Sequence, residues 1–347
     1  MSQTSLRTAL VGCRGMGAYH ARSAAALPQF EIVAGCDLDA ALAAQFAQQH
    51  DGAQAYTDYN RMLREARPDV VIVATTTAAH APLTIQAAES GARGVFCEKP
   101  MATSMAEGRA MVETCRRHNT ALAVNHQRRT SAVFQEMRRL LESGAIGGVQ
   151  LIRGSCQGDI LSDGTHLIDS IRYLVGDVDA KWVFGQIYRR PDDSDESGKA
   201  GFRYGHAVES GAYGLIEFEN GVRAEIHTGK VAVKGRNYQD YEIFGTQGRM
   251  WRAGDRSDPP LQIQDAQAGG WRALAIEEDS AEWQNNYEQF ARMICEGADH
   301  PLAGNSALKD LELVMAIYEA ARLHDKIELP LQQEKFPLQI MIDEGQL

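Results

Sequence analysis

Directly after a short apolar run, Thr8–Val11, the chain reads Gly12-Cys13-Arg14-Gly15-Met16-Gly17. In the dinucleotide fingerprint G-x-G-x-x-G the first glycine makes a tight turn, the second lets a pyrophosphate approach the backbone, and the third lets a helix pack closely on its strand. Gly12 and Gly17 hold the first and third positions; Arg14 stands at the second, with Gly15 beside it. A helix opening at such a turn offers N–H groups and the positive end of its dipole to phosphates. Gly12, Arg14, Gly15, Met16 and Gly17 are therefore candidate cofactor contacts. Asp37 ends the next apolar run, Glu31–Cys36, about 20 residues on, where a carboxylate reads ribose hydroxyls. It would repel a 2′-phosphate, and Leu38 and Asp39 supply no cation, so NAD is favoured over NADP. Arg14 leaves two options open, pairing with the pyrophosphate or reaching toward a 2′-phosphate.

Two further clusters have residue types suited to chemistry. Glu98-Lys99-Pro100 follows the strand-like Gly94–Cys97. Ligands of doubly wound sheets collect at the carboxyl ends of strands, so Lys99 either faces a site or is an ordinary surface lysine. Asp163-Gly164-Thr165-His166-Leu167-Ile168-Asp169 lies at a loop-to-helix junction. Oxidising a secondary alcohol requires a base for the hydroxyl proton while hydride leaves the carbon, and histidine titrates near neutrality. His166 is the candidate base, with Asp163 as its possible partner. Asp169, three residues on and on the same helical face, is a candidate for an ion pair or for domain packing.

The elements that must position these groups alternate over the first ~125 residues. Strand-like runs at Asp69–Ala74 and Ala121–Val124 join those above, and helical runs fall at Ala18–Ala26, Ala40–His50, Ala81–Ser90 and Ser104–Asn119. Strand–helix–strand units of this length predict right-handed crossovers and a parallel sheet. Beyond them, Val133–Ser143 and Thr165–Leu174 read as helices and Gly148–Cys156 as a strand. Lys181–Tyr188, Gly211–Phe218, Val222–Thr228 and Tyr238–Phe244 are strand-like with no helix between them. Asn220-Gly221 marks a hairpin, and the group predicts a mostly antiparallel sheet. Pro191–Ala200 reads as a solvated acidic loop, Gly254–Gly270 as loop with a short strand, and Trp283–Glu296 and Ala307–His324 as amphipathic helices. The expected division is 1–125 for a Rossmann domain and 126–347 for a substrate-binding and oligomerisation domain, with the final helix able to pack back on the first. The fold class is α/β.

Bulk composition narrows the partners. With 347 residues, 44% of them hydrophobic and 23% charged, two cores are affordable in apolar material. A net charge of −11 argues against nucleic acid or an anionic membrane as the main partner. The six cysteines form no C-x-x-C pair, so reduced buried thiols are expected and no metal. Met1–Leu6 lacks the apolar region of a signal peptide and no run is long enough to span a bilayer, which leads us to expect a cytoplasmic protein.

Taken together the motifs resemble the Gfo/Idh/MocA family of glucose–fructose oxidoreductase, inositol 2-dehydrogenase and their relatives. The resemblance covers nearly the whole chain. It rests on Glu98-Lys99-Pro100, on Thr75-Thr76-Thr77 followed by His80 where the family has a loop over the cofactor, and on His166-Leu167-Ile168-Asp169 before Tyr173-Leu174-Val175-Gly176. Glu242-Ile243-Phe244-Gly245-Thr246-Gln247-Gly248 and Ala316-Ile317-Tyr318-Glu319-Ala320 are its later markers. The resemblance implies that Lys99 contacts nicotinamide and substrate hydroxyl, that a cis peptide precedes Pro100, and that His166 is the catalytic histidine. It places Thr75, Thr76, His80 and Glu98 at the cofactor and Asn125, His126 and Arg128 at the substrate, the last two equally suited to holding the domains together. It also implies an open sheet in the second domain that builds a homodimer or homotetramer.

One departure matters. Many relatives carry Asp four residues before the histidine; here that position is Ser162, and Asp163 is three before. Asp163 either substitutes for that acid or caps the helix. The activity implied is NAD-dependent hydride transfer between the nicotinamide and a secondary alcohol or ketone of a sugar, inositol or related polyol. Three alternatives stand beside it: an NAD-retaining glycosidase acting by transient oxidation and elimination, a non-catalytic NAD-binding regulator, and an oxidoreductase of a non-sugar substrate.

Overall fold

The computed structural model describes residues 5–190, 201–231, 238–255, 257–265, 269–277 and 281–347. The acidic stretch 191–200 lies outside the described residues. The chain divides into two compact units: the first runs to Gln127 and takes back a later segment ending at Leu308, and the second, starting at Arg128, holds the rest.

The first unit opens with β1 (Leu6–Val11), α1 (Met16–Ala25), β2 (Phe30–Cys36), α2 (Ala40–Gln49), β3 (Gln54–Tyr56) and α3 (Tyr59–Ala66). It continues with β4 (Val70–Val73), α4 (Thr77–Glu89), β5 (Gly94–Cys97), α5 (Met105–Arg117) and β6 (Ala121–Val124). The six strands pair in parallel in the order β3-β2-β1-β4-β5-β6. Every residue of β4 and β5 is buried, as a strand covered on both faces requires. Side chains of Asp39, Asp58 and Ser104 cap α2, α3 and α5 by accepting from the N–H groups of Ala41, Arg61 and Glu107. The order reverses between β1 and β4, the switch point at which open α/β sheets bind ligands.

The second unit starts in the 3₁₀ turn Gln127–Thr130 and carries α6 (Ala132–Glu142), β7 (Val149–Gln157), α7 (Gly164–Leu174), β8 (Ala180–Tyr188), β9 (Phe202–Arg203) and β10 (His206–Ala207). Then come β11 (Gly211–Phe218), β12 (Arg223–Gly229), β13 (Gln239–Gly245), β14 (Gly248–Arg252), β15 (Leu261–Asp265) and β16 (Arg272–Leu274). The chain ends through α8 (Glu282–Glu296), α9 (Gly304–Leu323), β17 (Ile327–Glu328) and α10 (Pro337–Asp343). Among the described residues nine strands form one sheet in the order β16-β15-β14-β13-β7-β12-β11-β8-β17. All its pairs are antiparallel except β7 with β12, so the sheet is mixed and mostly antiparallel, as the strand-like runs predict. The Asn220-Gly221 hairpin forms, with Gly221 at φ 82°.

α8 belongs to the first unit, where it packs on α1 and β6. Its Tyr287 stacks on Phe96 of β5 with ring centroids 4.7 Å apart, and Phe290 meets the same ring edge-on at 5.3 Å. The sequence suggests one boundary near 125; the structure draws the aromatic cover of the parallel sheet from far downstream.

In the second unit small residues let helices approach the sheet. A Cβ on Gly154 of β7 would stand 2.6 Å from Leu167 of α7, and one on Gly185 of β8 would stand 2.6 Å from the backbone oxygen of Ile317 in α9. Asp169 does form an ion pair: its Oδ1 accepts from Arg129 Nε at 2.5 Å, and Arg172 pairs with Asp310 at 2.6 Å. Burial drives the Asp169 carboxyl well above the ordinary range; Arg129 opposes the rise and neighbouring Asp310 adds to it. Gly185→Ala is expected to destabilise the protein by about 1–3 kcal/mol through overpacking against backbone, measured as a lower urea midpoint at unchanged slope.

Candidate active site

The nucleotide corner is built by backbone contact. Gly12 has φ 91°, and a Cβ there would overlap the carbonyl oxygen of Ala74; a Cβ on Gly17 would overlap the carbonyl oxygen of Gly12. Both positions thus demand glycine. A Cβ on Gly15, the residue before α1, would meet nothing within 4 Å. No side chain caps α1 and no acidic residue lies in its first turn, so its dipole is left uncancelled for an anion. Asp37 ties this turn to β2, its Oδ2 accepting from Cys13 N–H at 2.9 Å and its Oδ1 from Asp39 N–H at 3.0 Å. Arg14 and Met16 are exposed. The cradle fits a dinucleotide pyrophosphate with a ribose at Asp37. Burial, with Asp37 nearby, pushes the Cys13 thiol up to about 12 and keeps it unreactive. Five cysteines are buried as expected, whereas Cys295 is exposed.

At the end of β5 the residues of Glu98-Lys99-Pro100 face different tasks. Glu98 is buried. Its Oε1 accepts from His20 Nε2 at 2.6 Å and Asn125 Nδ2 at 2.7 Å, and its Oε2 accepts from the Lys99 N–H at 3.1 Å. Burial alone would raise this carboxyl; His20, Lys99 and Asn125 together hold it at about 2. Lys99 is half-buried, and its peptide bond to Pro100 is cis. His80 is buried with Nδ1 2.8 Å from the Pro100 carbonyl and Nε2 3.2 Å from that of Thr75. Burial lowers its pKa, and a neutral ring donates only once, so the shorter contact to Pro100 takes the proton. His80 thus braces α4 against the lysine turn, while Thr76 is exposed at the start of α4.

In the second unit Asp163 takes the N-cap position of α7, yet its side chain makes no capping bond. Instead Tyr238 Oη donates to Oδ1 at 2.7 Å and Arg203 pairs with Oδ2. Of the two roles the sequence leaves open, helix capping is excluded. Arg203 also reaches Asp159, whose Oδ1 accepts from Ser162 N–H at 2.6 Å. Ser162, at the position of the family acid, contacts His206 at 3.3 Å. His166 is buried in the first turn of α7. Arg128 is gripped bidentately by Asp255 at 2.9 and 2.7 Å, with Arg252 on the same carboxylate. His126 is buried at the end of the first unit.

Sequence spacing does not reveal His20, Tyr287, Arg203, Tyr238 or Asp255, which reach their partners across long stretches of chain. Glu209 is another: Ile160 N–H donates to it at 2.7 Å and Tyr318 Oη at 2.6 Å. Burial first, then the nearby Asp159 charge, push its carboxyl up to about 7.

A parallel sheet in this order, with its glycine turn and terminal acid, defines a dinucleotide-binding Rossmann protein. The chain belongs to the Gfo/Idh/MocA family: the oxidoreductase family's NAD-binding Rossmann fold matches residues 6–126 and the GFO/IDH/MocA C-terminal domain matches 134–251. It is an oxidoreductase, and NAD is its cofactor. It is similar to the D-apiose dehydrogenase of Paraburkholderia graminis, 26% identical over 95% of this chain and 91% of the relative. It is also similar to the myo-inositol 2-dehydrogenase of Thermotoga maritima, 25% identical over 71% and 75%. In fold it is similar to the aldose–aldose oxidoreductase of Caulobacter crescentus, with a TM-score of 0.81, 21% identity and coverage of 94% and 100%. The family resemblance, fold class and cofactor read from the sequence are thereby borne out.

Two outcomes follow. Asp37→Asn keeps an acceptor for the turn but removes its charge; fluorescence titration should show the NADPH-to-NADH affinity ratio rising by about tenfold, or ~1.4 kcal/mol. For Glu209 the folded value lies above the unfolded one, so its contribution to stability is full below about pH 4.5 and is lost as pH rises through about 7. Glu209→Gln, which mimics the protonated acid, should flatten the dependence of urea stability on pH across that window.

Proposed function

We propose that the protein is an NAD-dependent dehydrogenase or reductase interconverting a secondary alcohol and a ketone on a sugar, inositol or related polyol. The observation that carries this reading is Lys99 at the carboxyl end of β5, its backbone N–H on the ionised Glu98, in the same sheet as a glycine turn shaped for a dinucleotide. Relatives named for D-apiose and myo-inositol support the substrate class.

NAD, which the Gly12–Gly17 turn and Asp37 would hold, would supply the hydride acceptor for the carbon bearing the hydroxyl. His166 takes the hydroxyl proton as base in oxidation and returns it as acid in reduction. Lys99 hydrogen-bonds the same oxygen and stabilises its developing negative charge. Asp163, kept in place by Arg203 and Tyr238, supports His166. Asn125 acts through Glu98, and Arg128 through its clamp on Asp255; His126 contacts substrate. His80 holds the turn at Pro100 against α4 beside the cofactor. The large sheet supports a homodimer or homotetramer, and the acidic net charge supports a cytoplasmic enzyme without nucleic-acid or membrane partners. Among the described residues no helix is long and apolar enough to cross a membrane.

The test is a fluorescence screen for NADH formation over aldoses, apiose, inositols, deoxysugars and sugar acids, followed by substitution. Lys99→Ala and His166→Ala should each lower kcat/KM on the best substrate by about 10²–10⁴-fold. Near wild-type turnover in both variants, or a leaving group released without net NADH, would defeat the proposal.

A further inference from the structure

Behind the lysine turn lies a buried hydrogen-bonded chain of Tyr287, His20 and Glu98. A carboxylate only accepts, so His20 Nε2, 2.6 Å from Glu98 Oε1, carries a hydrogen. His20 Nδ1 in turn lies 2.7 Å from the Tyr287 hydroxyl, so both ring nitrogens are held. Tyr287, His20 and Glu98 thus form one continuous chain, and it ends on the peptide of Lys99. It is also dry. His20 and Tyr287 are 0% exposed and Asn125 1%, and the imidazole is packed against Phe96 at 5.5 Å and Trp283 at 5.1 Å.

We infer that His20 is a positioning residue of the enzyme: through Glu98 it holds a fixed negative charge on the backbone N–H of Lys99, and so fixes the peptide from which that side chain projects. This rests on the reading of Lys99 as the group that contacts the reacting oxygen. A merely structural tether between α1 and β5 would need a hydrogen bond but not a charge. The surroundings of Glu98 are the argument for charge. It is faced by His20 from α1, Asn125 after β6 and Lys99 in its own turn, with Tyr287 of α8 behind His20 and His80 of α4 and Cys97 of β5 nearby. Against burial, His20 is the leading group that keeps the carboxyl ionised. Without its N–H, burial is opposed only by Lys99 and Asn125, and the carboxyl takes up a proton at higher pH. The Lys99 peptide then rests on a neutral acid instead of a carboxylate, in buried surroundings where a charge acts strongly.

The experiment compares His20→Gln, whose amide nitrogen reaches the place of Nε2, with His20→Asn, which is too short to reach Glu98. The first readout needs no substrate: infrared difference spectra against Glu98→Gln, which report a protonated Glu98 carboxyl. That band should be present at about pH 6 in His20→Asn and absent in wild type and His20→Gln. The second is the pH profile on the best polyol from the screen. His20→Asn should lose about tenfold in kcat with KM and the NADH dissociation constant within about twofold, and its acid limb should move up by about one pH unit; His20→Gln should restore both. Equal behaviour of the two variants, or no carboxyl band in His20→Asn, overturns the inference. Should His20→Asn not fold, His20→Phe, which keeps a ring against Phe96 and Trp283 and loses the N–H, must show the carboxyl band and shift the acid limb the same way; an absent band with an unchanged profile overturns the inference. Full activity in Lys99→Ala would instead sink the functional reading, leaving the infrared result to decide the His20–Glu98 link alone.

Discussion

The approach of α1 to β1 and β4 at backbone distance is the constraint on which the first unit depends. Gly12 leaves no room for a side chain beside Ala74, and Gly17 none beside Gly12. That contact aims the first turn of α1 at the switch point and sets His20, one turn further along, on the buried side of the helix. Any side chain at either glycine would push α1 outward, moving the dipole away from the phosphates and the imidazole away from Glu98 together. Cofactor binding and the lysine turn are thus coupled through a rigid element, with no moving part required.

The second unit manages buried charge differently. Arg129, Asp169, Arg172 and Asp310 are almost wholly excluded from water, and Asp310 lies close enough to raise the proton affinity of Asp169. Removing one partner from such a cluster would strand a charge, which is far more costly than never having buried the set. The cluster therefore fixes α7 in a single setting against α9, and α7 carries His166. Asp163 is oriented in the same spirit by Arg203 and Tyr238, groups from outside its own helix.

The parallel sheet is legible in the sequence because its strands are covered on both faces: an unbroken apolar run as short as Asp69–Ala74, closed by turn residues, suits a doubly buried strand and is too short for a helix of ordinary length. β3 is invisible, since two of its three residues are exposed. α3 leaves a signal in Asp58 as its cap and in Met62, Leu63 and Ala66 on one face. β14 hides behind Gly245-Thr246-Gln247-Gly248, a family marker that is also the turn pairing β13 with β14. Lys99, His166 and the glycines stand in local motifs and can be named from spacing. Their partners cannot, because His20 meets Glu98, and Asp163 meets Arg203, only after the chain has folded; nothing local to either residue announces the other.

The return of α8 to the first unit bears on how the protein is made. While the ribosome extends the chain, the six parallel strands emerge early, with the rings of Phe30 and Phe96 lacking the cover that Tyr287 and Phe290 supply. β6 likewise waits for Leu302 and Ala303 to satisfy its backbone. The Rossmann half therefore completes its aromatic cover only once the residues of the second sheet have been made, so its last core contacts are also its longest-range ones.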